Sequence, residues 1–137
     1  MRQPNVANVA KESKESIAIF LLEMLVMVKL AHWKTASFAT HKATDELFTS
    51  LNANIDKFIE VLLGKTGTRL NMHGHKTMAL NQPDSHAQLI HQMTRFKTFL
   101  IGLNMRENDT DLMNIRDEML GNVNQFLYLM TFTPLKI

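Results

Sequence analysis

The chain has 137 residues, a single domain's worth, with Lys plus Arg at 15 and Asp plus Glu at 13, a formal net charge of +2. That near balance argues against a general nucleic-acid coat driven by bulk charge. The absence of cysteine excludes disulfide frameworks, Cys-ligated zinc, iron–sulfur clusters and thiol nucleophiles. Five Gly and three Pro leave little punctuation, which favours a few long elements over many short ones.

Residues 1–12 are polar and without periodicity, and read as a loose arm ahead of a domain over 13–137. A helical pattern runs from about Ser13, a suitable N-cap, to Thr35. Ile17, Leu21, Met24, Leu25, Val28 and His32 share one side of it, while Ile19, Leu22, Val26 and Leu30 fill the opposite side. A helix apolar nearly all round is buried on more than one face. In so small a chain the second face is expected to meet another copy. The most apolar run, Ile17–Ala31, carries Glu23 and Lys29 and is shorter than the ~20 residues a membrane span needs. No targeting segment is evident, so a cytoplasmic protein without a membrane partner is the expectation.

A second helix is expected from about Thr40 to Lys65, antiparallel to the first because so few residues join them. Gly67–Pro83 forms a long polar connection with room for a short helical turn. Ser85 with Gln88 has capping-box spacing and opens a third helix running to about Met105. A fourth starts at Asn108 or Asp109 and reaches about Phe132, before Pro134. The fold class is therefore all-α, with the inventory of a four-helix bundle.

The residues that carry chemistry are His32, His41, Asp45, Asp56 and Glu60. On the second helix, His41, Asp45, Asp56 and Glu60 fall within about 100° of one another, in a sector that includes Phe48, Ile59 and Leu63. The spacing thus predicts carboxylates on the apolar, inward side, where they must be paired or bound to a metal. Oxygen and imidazole donors suit divalent iron, manganese or zinc. His41 with Asp45 and Asp56 with Glu60 are two i, i+4 pairs, separated by about 16 Å along the helix from Asp45 to Asp56. One chain cannot bring both pairs to one ion. Two chains packed antiparallel about a twofold axis can, with His32, His41 and Asp45 of one facing Asp56 and Glu60 of the other, giving two sites per dimer.

The stretch Leu21–Glu60 resembles the Dps mini-ferritins, the starved-cell DNA-protecting relatives of ferritin. The matching pattern is His32-Trp33, His-x3-Asp at His41–Asp45, and Asp-x3-Glu at Asp56–Glu60. The resemblance implies a ferritin-like four-helix bundle, an inter-subunit ferroxidase centre built from those five ligands with Trp33 beside it, and a hollow homo-oligomer of twofold dimers, a dodecamer. The implied activity is oxidation of Fe(II) by hydrogen peroxide or dioxygen and storage of Fe(III), which protects against oxidative damage. Zinc or manganese would suit the same donors. The amino-terminal arm departs from the lysine-rich tail of DNA-binding members, since Glu12 and Glu15 accompany Arg2, Lys11 and Lys14, so strong DNA binding is not expected. The His32–His41 connection is also short for the family. That leaves a second reading: a non-redox helical assembly protein whose interface site holds a structural metal or none. No Glu is followed by His three residues later, which disfavours the intrachain di-iron site of other bundles.

Other candidates have simpler explanations. Met72–His75 reads as a solvated loop, and His86 and His91 are poorly spaced to share an ion on one helix face. Gly64-Lys65-Thr66 lacks the earlier glycine of a phosphate loop, because Ile59 stands there. Asp109, Asp111 and Asp117 are accounted for as acidic residues near a helix start.

Overall fold

The computed structural model describes residues 13–132, and the expected arm over 1–12 lies outside them. Four helices make up the fold: α1 (Lys14–Lys34), α2 (Phe38–Thr66), α3 (His86–Gly102) and α4 (Thr110–Leu129). Three are opened by serine. Ser13, Ser37 and Ser85 accept the backbone N–H of Ser16, Thr40 and Gln88 at 3.1, 3.2 and 3.1 Å, each satisfying a donor that the first turn leaves free. The capping box at Ser85 closes one residue early: Gln88 Oε1 accepts from the N–H of Asp84, not of Ser85. Gly67 ends α2 at φ 67°, a left-handed conformation that glycine adopts without steric cost, and its N–H returns to Leu63 O at 2.9 Å. Helix α3 stops three residues short of the expected Met105. Arg116 of α4 donates to Leu100 O at 2.9 Å and so satisfies a carbonyl in its last turn.

Neighbouring helices are antiparallel. The α1–α2 hairpin turns through Thr35, Ala36 and Ser37. Lys65 near the end of α2 bonds Asp109 and Asp111 at the start of α4, while Thr40 near the start of α2 meets Met130 just past the end of α4. Lys34 at the end of α1 pairs with Asp84 just before α3, and Phe20 near the start of α1 stacks on Phe99 near the end of α3. Around the bundle the order is thus α1, α2, α4, α3, with α2 and α3 parallel across the diagonal.

Parallel diagonal helices require a connection that travels the length of the bundle. Residues 67–85 make it, running along α1 from the Asn71 N–H on Glu15 Oε2 (2.9 Å) to the Ala79 N–H on Glu23 Oε2 (2.7 Å) and on to Asp84 at Lys34. The helical turn expected there is absent: the only feature is a tight turn at His73–Gly74, closed by His75 N–H on Met72 O. One long crossover in a four-helix bundle is the ferritin-like topology.

The core is continuous through all four helices. Leu21, Met24, Met27 and Val28 of α1 meet Leu51 and Phe58 of α2, Met93, Phe96 and Leu100 of α3, and Met119, Val123 and Phe126 of α4. By length and composition α1 could cross a membrane, since the helix is longer than the apolar run alone. Here one side of it is core. Its second apolar side is half-buried at Ile19, Val26 and Leu30, where the crossover is clasped along it by Glu15 and Glu23, and open at Leu22 and Trp33, which are 41 % and 69 % exposed.

Candidate functional site at the histidine hairpin and the outer face of α2

The hairpin brings His32 and His41 together. Their rings stack with centroids 3.8 Å apart and planes 16° from parallel. His32 Nδ1 lies 2.8 Å from His41 O, and His41 Nδ1 lies 2.8 Å from His32 O. A carbonyl oxygen only accepts, so both Nδ1 atoms carry the proton and donate. His32 O sits in the last turn of α1, where no later helical N–H reaches it, and the His41 ring takes that place. In the neutral ring, a protonated Nδ1 leaves the Nε2 lone pair free, the state in which imidazole binds a metal. Thr44, fully buried, holds the arrangement from below: its hydroxyl donates to Thr40 O at 2.7 Å and lies 3.1 Å from His32 Nδ1. The short connection therefore does not draw His41 away from its partner.

The carboxylates stand elsewhere than the periodicity suggested. Asp45, Asp56 and Glu60 are all exposed. The buried side of α2 is Thr44, Leu47, Leu51, Ile55 and Phe58, roughly 130° round the helix from the centre of the ligand sector. Phe48, Ile59 and Leu63 are half-buried at the margin between the two, which is why their presence pointed inward. None of the three carboxylates takes part in an ion pair among the described residues, whose pairs are Lys14–Glu15, Lys34–Asp84, Lys65 with Asp109 and Asp111, and Arg116–Asp117.

Within one chain, no three His or carboxylate side chains among the described residues converge on a common point. The single chain brings together the histidine pair and leaves Asp56 and Glu60 further along the same outer face. Trp33 and Phe48 flank Lys29, whose ammonium lies 4.1 Å from the Phe48 ring centroid and 5.8 Å from that of Trp33. The face thus carries aromatic surface, the cations of Lys29 and of exposed Lys42, which shares the angle of Glu60 round α2, and three carboxylates without ion-pair partners among the described residues.

Two carboxylates escaped the sequence reading. Glu15 and Glu23 clasp the crossover by accepting backbone N–H groups 56 residues away, a pairing with no local signal. A cavity of about 650 Å³ opens at the hairpin end, lined by Ala31, Lys34, Ser37, Ser85, Leu89 and Phe132 among others; it contains neither histidine. Asp109 and Asp111 are engaged by Lys65, and the carboxyl of Asp109, held by the Arg106 N–H and then by Lys65, lies below its ordinary range.

No curated protein and no solved structure matches the chain. Residues 32–130, from the first histidine of the hairpin to the cap of α4, match the family described as a family of unknown function (DUF5856). On that match, which covers most of its length, the chain belongs to the DUF5856 family.

Proposed function

We propose that the protein is an iron-oxidising mini-ferritin whose ferroxidase centre is completed by a second chain. The observation that carries this reading is the division of one donor set: a histidine pair with both Nδ1 protons committed and Nε2 free, on the same outer face as exposed carboxylates without ion-pair partners. Each half alone has a bland explanation. Together, at the spacing of the Dps pattern and on a bundle with a single crossover, they make a split metal site.

Fe(II) is the substrate. His32, His41 and Asp45 of one chain and Asp56 and Glu60 of its partner are the proposed ligands, with Trp33 beside them. Imidazole suits the ferrous ion, and the carboxylates suit the harder ferric product. Two ferrous ions each give up one electron to hydrogen peroxide. Its O–O bond breaks, two hydroxide ions form, and two ferric ions leave for storage inside a shell of twofold dimers. Dioxygen is the alternative oxidant. Zinc or manganese would compete for the same donors. The near-neutral charge supports no strong role for DNA.

The test follows ferrous oxidation by absorbance in the wild type and in the double variant Asp56→Ala, Glu60→Ala. Loss of roughly a hundredfold in rate is expected, the upper end of what removing even an outer-shell partner of a metal costs. Equal rates would refute the assignment.

A further inference from the structure

Because the two halves of the site lie at different heights on α2, the position of the twofold axis follows from the sequence numbers. This inference rests on the two-chain centre proposed above. His41 and Asp45 must be level with the partner's Glu60 and Asp56, so the axis crosses α2 midway, between about residues 50 and 51. The outward sector at that height contains Asn52. It is exposed in the single chain and lies about 20° from His41 round the helix, well within the ligand sector. Asn54, two residues on, projects oppositely and bonds Asn122 of α4 at 3.0 Å inside the bundle.

We propose that Asn52 lies beside the twofold axis and hydrogen-bonds to Asn52 of a second copy of this chain. An amide is self-complementary, since each side chain offers both a donor and an acceptor, as an isologous contact demands. Asn52 stands about 2 Å along α2 from the axis, so the two copies are offset by about 4–5 Å. With helix axes about 8–10 Å apart, their side chains meet. Slipping the copies by one turn in one direction carries the two amides about 10 Å apart along the helices, out of reach of each other, whereas a slip in the other direction leaves them nearly level. The pair therefore disfavours a slip in the first direction, as a polar residue at an apolar seam restricts register in coiled coils. The second copy is the fitting occupant of this face. It supplies the Lys29 cation and the exposed apolar surface of Leu22 and Trp33, all on α1, to the carboxylates and half-buried Phe48, Ile59 and Leu63 of this face.

The chain has no cysteine, so one introduced thiol reports its own proximity to its copy. Asn52→Cys and Ala53→Cys, both at exposed positions and about 100° apart round the helix, are oxidised in parallel after circular dichroism confirms that each is folded. A disulfide needs Cα atoms about 4.4–6.8 Å apart, so Asn52→Cys is expected to give roughly tenfold more covalent dimer than Ala53→Cys. Equal linking at both positions, or none at Asn52 in a chain that light scattering shows to be dimeric, overturns the assignment of Asn52 to the axis. In that case restored oxidation in mixed oligomers would leave the two-chain centre standing. A monomer at micromolar concentration overturns both.

Discussion

At the scale of single residues, Thr44 and the two histidines decide the geometry. A buried hydroxyl on α2 needs a partner, and the Thr40 carbonyl supplies one. Its oxygen then faces His32 Nδ1, which reaches the His41 carbonyl as well. Thr44→Val keeps the shape and removes the hydroxyl, and is expected to cost about 1 kcal/mol. Urea unfolding measures this. A neutral result would mean that the hydroxyl does not support the histidine pair. The pair itself was partly legible: spacing put His32 and His41 at one end of a hairpin, but nothing in the sequence specified a reciprocal bond to each other's backbone. The direction of the carboxylates was misread for a definite reason. Periodicity shows which residues share a side of a helix, and it says which side faces the core only where one sector is purely apolar. On α2, Phe48, Ile59 and Leu63 lie beside the true core stripe, so the mixed sector looked internal.

At the scale of elements, the starts at Ser13 and Ser85 were readable because a serine cap has a local physical cause, whereas Ser37, the cap of α2, stands ahead of the start expected at about Thr40. The third helix ended early because its stop depends on Arg116 from α4, a tertiary contact. The path of the crossover was equally hidden, because Glu15 and Glu23 act at long range. The Asn71 N–H is the main cause that holds the Glu15 carboxyl below its ordinary value, with Lys14 adding to it against the opposing effect of burial. A carboxylate with a depressed folded pKa contributes stability that is present above its unfolded pKa, about 4.5, and is lost as pH falls through the lower folded value. Thermal unfolding should therefore show Glu15→Gln less stable than wild type at pH 7, with the difference shrinking below about pH 4.5 and vanishing in stronger acid. A difference that persists unchanged in strong acid would place the effect in packing, not in the charged clasp.

At the scale of the whole molecule, topology and uncovered surface belong together. A bundle with one long crossover presents α1 and α2 side by side, and this chain leaves that pair's outer face open at Leu22 and Trp33 on α1 and at Asp45, Asp56 and Glu60, beside Lys42, on α2. The all-round apolarity of α1 pointed to a second covering surface, and the crossover of the same chain supplies part of it. That the carboxylates stand on this outer face, and not inward, was visible only in the structure. A single centre that uses both pairs of one chain is ruled out, because Asp45 and Asp56 are about 16 Å apart along α2. The division of the donor set is thus the claim on which the functional account stands.

Mixed oligomers test it most directly. Chains carrying His41→Ala with Asp45→Ala are co-expressed with chains carrying Asp56→Ala with Glu60→Ala, and co-assembly is verified by mass spectrometry. Either variant alone has no intact centre. In a mixed dimer one centre combines all four defects and the other retains every wild-type ligand, so random pairing restores about a quarter of all centres. Ferrous oxidation is expected to return to roughly that fraction of the wild-type rate. No recovery at any mixing ratio, in verified mixed assemblies, would contradict the divided donor set.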